Sequence, residues 1–583
     1  MKNREEISRT TIDMKYKLYC LKITFFILAI LLGFIQAWAH RHNSPGDAIA
    51  YMDIGDAYMY GDWKEAVNAS WSPLYSLILG LMLFILKPSS YLEFTCVTIV
   101  NFVIYLFTIF CFDFFLCKLV LYHKKKSIEL SKDDYVTFPE WSLIALGYGF
   151  FIFSSLIVLN VSSANPDMLC AGIIFLVSGI MLHIRTRNSK WFLFFLLGLL
   201  LGLGYLAKEA MFPLVFVFLL IGIFSVNDFK KKISCILTVL IAFLIVAGPY
   251  IFILSKSKGY FTYGEAGKLN YLWDVNNIHY PSQGEISKNG IPKHPFKKIF
   301  DNPAIYEFGT RFEQATFPLV YDSSYWYEGV HPHFNLKQQL KTLLINIKMY
   351  FHIFFNFYLE LIFVFILLFY LSQRKLLFLK DILGYSILVF PAIIVLGMYS
   401  LVHVEPRYIG IFVLLLWLGL FLAVRLPDSE ASRKFLSSAT IAILIIIMGK
   451  ISYEITHNVS SIIQDLAKGK QANTMWVVAN GLSKMGIKPL DKVVTIVDGT
   501  NQYWARLARV KIIAEMPSED DVNKFWEAQD AVKLNLMKAI VKTGAKAIVT
   551  KNIPQYAYDN ALKNGWQWIE GTEHYAYILD AVK

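Results

Sequence analysis

The sequence predicts a polytopic α-helical membrane protein that ends in a small α/β domain. Three observations lead to this fold class. Of the 583 residues, 56% are hydrophobic and 17% are charged, whereas a soluble domain carries about 25% charge. Apolar runs of about 17–25 residues, long enough to cross a bilayer as helices, recur along most of the chain. After about residue 453 these runs give way to short β-type segments between helical stretches.

The apolar runs predict about 11–13 spans between residues 23 and 455. The first run is not a cleavable signal peptide, because it lacks a small-residue cleavage site and further spans follow it. A shorter apolar run lies at 74–86. The expected spans are 23–39, 95–121, 141–160, 168–184, 191–206, 211–226, 233–254, 352–372, 382–401, 409–424 and 435–452.

Basic residues set the expected topology, because positively charged short loops stay in the cytoplasm. The basic N-terminus, residues 1–22, is therefore placed there. If 74–86 crosses the membrane, the basic loops at 124–126, 185–190 and 230–232 fall outside. If it is re-entrant or interfacial, all of these basic loops stay inside, and we adopt that interpretation. A split or missed span elsewhere in the first half of the chain would have the same effect on the topology. The segments then expected outside are 40–94, 161–167, 207–210, 256–350, 402–408 and the C-terminal domain.

Two long polar regions interrupt the spans. Residues 256–350 are rich in Tyr, Trp, Pro, His and Gly, which predicts a large irregular loop with an amphipathic helix from Leu336 to Tyr350. In the tail, strands alternate with helices, which indicates a soluble α/β domain at 470–583 with a mostly parallel sheet. No G-x-G-x-x-G motif follows its strands, so nothing supports a dinucleotide site. The expected strands are 493–498, 511–515 and 547–550, and the expected helices are 475–486 and 519–541.

Charge and cysteine content exclude two further classes. The net charge of +12 comes largely from short loops such as Lys124–Lys126 and Lys230–Lys232, where the positive-inside rule expects it. Nucleic-acid binding is therefore not indicated. The six cysteines lie in or beside apolar segments without metal-ligand spacing, so they are interpreted as small core residues and imply no disulfide framework.

The most informative polar segment is residues 40–71, directly after the first expected span. It contains four acids among aromatic residues, Asp47, Asp53, Asp56 and Asp62, and leads into the turn at Ser72-Pro73. Ionisable groups at span ends are costly and are often functional when they face a cavity. The alternative is a solvated loop, and Asp53 and Asp56 fit acids on the surface of a loop helix.

On the expected topology, further ionisable residues reach the same surface as Asp47. Each has a structural explanation too: Lys208 can snorkel to the interface, Arg407 can anchor a span end, and Asp167 can cap the helix that follows it. Together, acids and cations on one surface suggest a site that activates a nucleophile and holds an anionic group. The residues are Asp167 in S-A-N-P-D-M-L, Lys208 and Glu209 in G-Y-L-A-K-E-A, and His403, Glu405, Arg407 and Tyr408 in L-V-H-V-E-P-R-Y.

With this pattern the chain resembles the GT-C glycosyltransferases, membrane enzymes that use polyprenyl-phosphate sugars, in their protein O-mannosyltransferase and aminoarabinose–lipid A transferase branch. The resemblance covers about residues 20–425 and rests on the order and placement of the motifs, since no single motif is specific. The matching residues are Asp47, Tyr51, Gly61-Asp62-Trp63, Pro73-Leu74-Tyr75, Asp167, Gly202 with Lys208, the segment 262–273 (T-Y-G-E-A-G-K-L-N-Y-L-W), and Arg407-Tyr408.

The chain also departs from the family pattern. Relatives often have Asp-Glu where Asp47 is followed by Ala48, so a two-acid mechanism would need Asp53 or Asp56 as the second acid. The acid of the second loop follows a proline, as Pro166-Asp167, where relatives often have Asp-Pro. The C-terminal domain is not part of the shared core, and its role is open.

The resemblance implies a multi-pass enzyme of the bacterial inner (plasma) membrane. Such an enzyme moves a hexosyl or pentosyl group from a polyprenyl-phosphate donor to an extracytoplasmic glycan, lipid or protein, with inversion. Asp47 would be the general base, and Asp167 would position the acceptor or orient a cation. The donor phosphate would bind Lys208, Arg407 and Tyr408. Accessory candidates are Tyr51, Asp53, Asp56 and His403.

The aromatic residues of 256–350 would form a lid or a sugar platform. No cofactor is required, because protein cations can stabilise a phosphate; a role for a divalent metal stays open. A transporter or flippase for a lipid-linked or envelope glycan is the main alternative, but it predicts internal repeats or polar residues at mid-span, and neither is apparent. A non-catalytic assembly or binding subunit is disfavoured by the complete set of acids and cations. A glycan polymerase or ligase fits the same residues, and nothing names the sugar or the acceptor.

Overall fold

The computed structural model describes residues 2–42, 46–130, 135–186, 191–223, 229–279, 288–372, 378–467, 472–497 and 499–579. Within these ranges eight helices are long and apolar enough to cross a membrane, and a pair bent by 96° at 378–400 would make a ninth. Three shorter apolar helices accompany them. In the described residues the expected spans coincide with helices, except that 382–401 falls on the bent pair; residues 224–226 of one expected span lie outside the described residues. The polytopic helical fold class is confirmed. Arg187, Lys190 and Asp498, which belong to an expected basic loop and an expected strand, lie outside the described residues.

The first part of the chain forms ten helices, several of which begin at recognisable start signals. Pro73 occupies the first turn of its helix, where its missing N–H costs nothing. The elements are α1 (Lys2–Ala39), α2 (Ala48–Met59), α3 (Trp63–Ala66), α4 (Pro73–Leu86), α5 (Glu93–Leu130), β1 (Tyr135–Val136), α6 (Glu140–Phe153, prolonged by a π-helical turn at Ser154–Leu159), α7 (Asp167–Thr186), α8 (Trp191–Ala207), α9 (Met211–Ile223) and α10 (Phe229–Lys258).

The large loop contains α11 (Ala266–Asn270), β2 (Lys297–Asp301), β3 (Ala304–Glu307), α12 (Pro318–Tyr321) and α13 (Ser323–Trp326). The expected amphipathic helix is the start of α14, which Asn335 caps by accepting N–H groups of its first turn. It continues into the membrane without a break. The helices that follow the loop are α14 (Leu336–Leu371), α15 (Phe378–Gly384), α16 (Ser386–Ser400), α17 (Pro406–Ala423) and α18 (Glu430–Ala467), with β4 (Leu426–Pro427) paired to β1.

The C-terminal region consists of α19 (Thr474–Lys484), β5 (Lys492–Thr495), α20 (Tyr503–Ala508), β6 (Lys511–Glu515), α21 (Glu519–Glu527), α22 (Asp530–Val541), β7 (Ala547–Lys551), α23 (Tyr558–Lys563), β8 (Trp566–Trp568) and β9 (His574–Ile578). Its strands join one seven-stranded sheet in the order β2-β3-β6-β5-β7-β9-β8. Only β5 pairs in parallel, with β6 on one side and β7 on the other. The expectation of a mostly parallel sheet was therefore wrong, because antiparallel hairpins extend both edges.

The large loop and the C-terminal region form a single folded unit. The β2–β3 hairpin of the loop pairs with β6 through Tyr306 and Glu515. The loop's Phe317 and Trp326 also belong to the same buried cluster as Trp504 of the tail. The described part of the loop is thus more ordered than its sequence suggested, since several of its apolar residues are buried against the sheet.

Loops of the bundle meet at two opposite faces. At one face, the Tyr122 hydroxyl donates to Gly384 O (2.6 Å) and Arg185 donates to Ser386 Oγ (2.9 Å). These contacts join the ends of α5 and α7 to the α15–α16 connection. The opposite face collects the segments that the sequence assigned to one side of the membrane, including 40–71, 161–167, 207–210, 402–408 and the C-terminal sheet.

Residues that precede and follow helix α4 both contact the second face. Arg506 of the tail binds both Asp53, which precedes α4, and Glu93, which follows it. The chain on either side of α4 therefore lies on one side of the bundle, as a re-entrant segment requires. The helix packs closely on α2, because a Cβ at Gly80 would lie 2.5 Å from Gly55 O, so these two helices need glycine where they cross.

Candidate active site

Four ionisable residues from four helix ends converge at the second face. Arg407, near the start of α17, donates from Nη1 to Asp47 Oδ2 (3.3 Å), and its Nε lies 4.0 Å from Asp167 Oδ2. Lys208, just after α8, donates to the other oxygen of Asp167 (2.5 Å). We call Asp47, Arg407, Asp167 and Lys208 the Asp47 cluster, in which acids and cations alternate.

Local structure explains why these residues occupy helix ends. Asp167 opens α7, where its backbone N–H is held by the Asn165 side chain (3.0 Å) and a negative charge is favoured by the helix dipole. Lys208 follows the last turn of α8, donating its N–H to Gly204 O (2.9 Å), where a positive charge is favoured. The capping explanation of Asp167 and the functional one are therefore compatible.

Tyr408 and the segment before it complete the cluster. The Lys208 ammonium lies 3.9 Å from the centre of the Tyr408 ring, a cation–π arrangement. Glu405 accepts from Arg407 Nε (2.6 Å). His403 lies between Glu405 (3.3 Å) and Asp274 of the large loop (3.5 Å), and hydrogen bonds to these two carboxylates raise its pKa to about 9. His403 thus links the loop to the rim of the site.

The cluster is partly buried, which shapes its electrostatics. The Asp47 and Arg407 side chains are 24% and 22% exposed, whereas Asp167 is 5% exposed. Burial raises the pKa of Asp47, and the Arg407 guanidinium opposes this. Burial lowers the pKa of Lys208, but Asp167 and the neighbouring tyrosines raise it more, so the net shift is upward. Among the described residues, Asp167 Oδ2 has no hydrogen-bond partner, so it can accept a bond from a ligand.

A cavity opens beside the cluster. Its polar wall consists of Asp167, Lys208, Arg407 and Tyr408. Its other walls are apolar side chains of α7, α9, α16 and α17, including Ile174, Leu214, Val395 and Met398. The combination fits an amphipathic ligand with an anionic head and an apolar chain.

Tyr51, Asp53 and Asp56 do not line this cavity. Tyr51 is buried on α2, with its ring 4.9 Å from that of Tyr75. Asp53 is fully buried and accepts from Arg506 (2.7 Å) and from the Thr316 N–H (2.6 Å). Asp56 also binds Arg506 (2.7 Å). The interpretation of Asp53 as a surface acid was wrong, and the structure does not bring Asp53 or Asp56 to the Asp47 cluster.

Sequence reasoning missed the partner of these acids. Arg506 is 4% exposed and also binds Glu93 at the start of α5 (2.7 Å), which in turn accepts from Arg509 (2.8 Å). We call Asp53, Asp56, Glu93, Arg506 and Arg509 the Arg506 cluster. The available signal was an arginine inside the apolar segment Tyr503–Ala508, where an unpaired charge would be costly.

Glu209, next to Lys208 in the sequence, contacts the large loop rather than the Asp47 cluster. Its carboxylate accepts the Ala266 N–H (2.8 Å) at the start of α11, and burial raises its pKa to about 7. It therefore fixes the segment 262–273 of the large loop next to the site. In the described part of the chain, no group of three or more His, Cys, Asp or Glu side chains is arranged to hold a metal ion.

Comparison with known proteins finds similarity of structure only. The chain is similar to ArnT from Cupriavidus metallidurans bound to undecaprenyl phosphate, with 10% identity and a TM-score of 0.49 over 96% of this chain and 97% of that one. It is also similar to the Archaeoglobus fulgidus oligosaccharyltransferase in complex with zinc and sulfate, with 12% identity and a TM-score of 0.44 over 90% of this chain and 68% of that one. No protein-family model and no curated protein matches the sequence.

Proposed function

We propose that this protein is a GT-C-type membrane glycosyltransferase that moves a sugar from a polyprenyl-phosphate donor to an extracytoplasmic acceptor. The observation that carries the proposal is the Asp47 cluster itself. Two cations and two carboxylates from four separate helix ends meet beside a cavity whose remaining walls are apolar. The resemblance in the order of the motifs supports the same function.

The donor would bind with its phosphate on Arg407 and Lys208 and its first isoprenyl units along the apolar walls. Arg407 offers a planar fork to the phosphate and Lys208 a point charge. Both cations contact carboxylates, Arg407 those of Asp47 and Glu405, and Lys208 that of Asp167. The phosphate gains its contacts when the cations turn from these carboxylates toward it.

The reaction is then a single displacement at the anomeric carbon. The acceptor's O–H (or N–H) attacks, the new bond to the sugar forms, and the bond from the sugar to the phosphate oxygen breaks. Asp47 takes the acceptor's proton, and polyprenyl phosphate leaves with the bonding electrons. Arg407 and Lys208 stabilise the charge that develops on the leaving oxygen. The configuration at the anomeric carbon inverts.

Arg407 links donor binding to the release of the base. Its guanidinium holds Asp47 at 3.3 Å, and the same N–H groups would bond the phosphate. A phosphate that draws Arg407 away leaves Asp47 free to accept a proton. Burial raises the pKa of Asp47, which brings its basicity closer to the pH at which a general base works best. Asp167, whose Oδ2 has no hydrogen-bond partner among the described residues, would orient Arg407 or accept a hydroxyl of the sugar.

The site face is assigned to the extracytoplasmic side of a bacterial plasma membrane because the basic loops lie at the opposite face. This places residues 1–22 in the cytoplasm and the α/β domain, 470–583, outside. A reporter that works only outside the cytoplasm, fused after Lys583, should be active. Activity of a cytoplasm-only reporter at the same position would reverse the assignment.

The activity is tested with purified protein in lipid nanodiscs and a panel of polyprenyl-phosphate sugars. The expected result is release of polyprenyl phosphate that depends on the protein and is strongly reduced in Lys208→Met. Mass spectrometry of envelope glycans and lipids from cells with and without the protein would then identify the acceptor. A donor that crosses the bilayer of a vesicle with its sugar still attached would instead support the flippase alternative.

A further inference from the structure

The two acid-bearing loops of the site touch each other at Gly46. This residue directly precedes Asp47 and forms an isolated parallel bridge with Ala164, three residues before Asp167. Its φ of +100° lies in the region that favours glycine, and a Cβ would meet Ser163 Oγ at 3.2 Å and Ala164 O at 3.3 Å. The orientation of the Gly46–Asp47 peptide therefore affects the positions of both Asp47 and Asp167.

A side chain of the C-terminal domain holds this peptide. The hydroxyl of Tyr503, at the start of α20, donates to Gly46 O (2.8 Å). Tyr503 is 6% exposed, and its ring packs edge-on against Phe94 of α5 with 5.6 Å between ring centres. Because both the ring and the hydroxyl are fixed, Tyr503 has little freedom to follow the loop if the loop moves.

The Arg506 cluster anchors the helix that carries Tyr503. Arg506 lies on α20 one turn after Tyr503 and binds Asp53 and Asp56 of α2 and Glu93 of α5, each within 2.7 Å. Breaking a buried ion pair is strongly destabilising, so this part of the domain stays attached to the first loop. The anchor acts on the same helix, α2, that begins directly after Asp47.

We propose that Tyr503 is a positioning residue for Asp47, so that the C-terminal α/β domain completes the active site by fixing the geometry of the base. The inference rests on the proposed function. It assigns the domain a part in the chemical step that the GT-C-like core, residues 20–425, does not supply by itself. Tyr503 does not touch the substrate; it acts through the Gly46 carbonyl.

The direct test is the kinetics of full-length Tyr503→Phe, which keeps the ring and removes only the hydroxyl. We expect kcat to fall about 10–100-fold, because small displacements of a reacting group have effects of this size. The KM for the donor should stay near its wild-type value, since Arg407 and Lys208 are untouched. Tyr556→Phe, an exposed tyrosine of the same domain, is the matched control and should behave as wild type.

A double-mutant comparison separates positioning from a merely structural role. If Tyr503 acts through the base, Tyr503→Phe should cause no further loss in an Asp47→Asn background. Wild-type kcat in Tyr503→Phe, or a loss of equal size in both backgrounds, would overturn the proposal. Gly46→Ala, which strains the same peptide from the other side, should lower kcat without an additive effect from Tyr503→Phe.

Hydrogen exchange gives a readout that needs no activity. Backbone amides that follow Asp47 in α2 should exchange faster in Tyr503→Phe than in wild type or Tyr556→Phe, because the hydrogen bond that holds the Gly46–Asp47 peptide is lost. If the wild-type protein transfers no sugar, the proposed function fails while this measurement still tests whether Tyr503 holds the loop. Unchanged exchange in Tyr503→Phe would overturn the positioning role in either case.

Discussion

Two groups of acids and cations share the first loop, with Asp47 in one and Asp53 and Asp56 in the other, and they differ in how tightly they are held. In the Arg506 cluster, Arg506 and Asp53 are 5% and 1% exposed in their side chains and lie 2.7 Å apart. In the Asp47 cluster, Arg407 and Asp47 are 22% and 24% exposed and lie 3.3 Å apart. The same residue types thus form a closed group in one place and a partly open one in the other.

The difference follows from what surrounds each group. Glu93 shares Arg506 with the two acids of α2, and Thr316 adds hydrogen bonds to Asp53, so little space remains for a ligand. The Asp47 cluster borders a cavity, and Asp167 Oδ2 lacks a partner among the described residues. A buried, fully paired group resists change, whereas a partly solvated one can exchange partners. We therefore assign assembly to the first and chemistry to the second.

The largest expected effect is on the base. Asp47→Asn keeps the shape of the side chain and removes its basicity, so turnover should fall about 10²–10⁴-fold. The control is Asp62→Asn in the same loop, since Asp62 caps α3 by accepting the Glu65 N–H (3.3 Å) and asparagine caps as well as aspartate. The measurement is sugar transfer from a polyprenyl-phosphate donor. Near-normal turnover in Asp47→Asn would move the role of base to Asp167.

The second prediction concerns stability. Arg506→Met leaves three carboxylates without their shared cation and should destabilise the protein by about 3–5 kcal/mol. Arg509→Met is the matched control, because Arg509 binds one of the same acids but is 42% exposed, and exposed pairs contribute at most about 1 kcal/mol. Thermal unfolding midpoints in detergent compare the two variants. Equal decreases in the two unfolding midpoints would show that the buried pairs of Arg506 stabilise the protein no more than the exposed pair of Arg509, and would contradict the role assigned to burial.

A smaller effect is expected for the donor site. Lys208→Met removes one charge-assisted contact to the phosphate, which contributes about 1.5–3 kcal/mol, so the KM for the donor should rise about 10–100-fold. Lys124→Met at the opposite face tests for a general effect of charge, since Lys124 binds only Glu140 (3.5 Å) among the ion pairs of the described residues. Wild-type donor kinetics in Lys208→Met would show that Lys208 merely snorkels to the interface.

The smallest effect is a shift in pH dependence. Asp47 works as the carboxylate, so kcat should be highest above its pKa and fall as the pH drops through it. Burial raises this pKa above its usual range, so the fall should begin at a higher pH than for an ordinary aspartate, near 3.9. Arg407→Gln removes the charge that opposes this increase. Its kcat/KM for the donor, which reports the pKa of the donor-free enzyme, should therefore decline at a higher pH still; a shift to lower pH would contradict the role of Asp47.

The sequence predicted the spans and the Asp47 cluster because both depend on local signals. A span needs only a long apolar run, and an ionisable residue at its end stands out. Asp47, Asp167, Lys208 and Arg407 were all found in this way. Counting the membrane crossings between the basic loops, together with the positive-inside rule, then placed the loops that carry these residues on one face. The structure also brings them together there.

The Arg506 cluster and the loop hairpin could not be found in the same way. Arg506 pairs with Asp53 across 453 positions of the chain, and no periodicity within α20 or α2 reports such a contact. The β2–β3 hairpin similarly finds its partner strand, β6, about 200 residues later, where Glu307 pairs with Ala514. Asp53 was taken for a surface acid because an isolated helix gives no indication of a buried partner.

The central claim is that Asp47 and a donor phosphate compete for Arg407, and binding of polyprenyl phosphate to Asp47→Asn tests it most directly. Titration of the purified variant and of wild type in nanodiscs, followed by native mass spectrometry, gives the two dissociation constants. Because the substitution removes the competing carboxylate, we predict that the variant binds polyprenyl phosphate at least as tightly as wild type while its sugar transfer is lost. Binding weakened about tenfold or more, in a variant that unfolds at the wild-type temperature, would contradict the exchange and make Asp47 part of the binding site rather than the base.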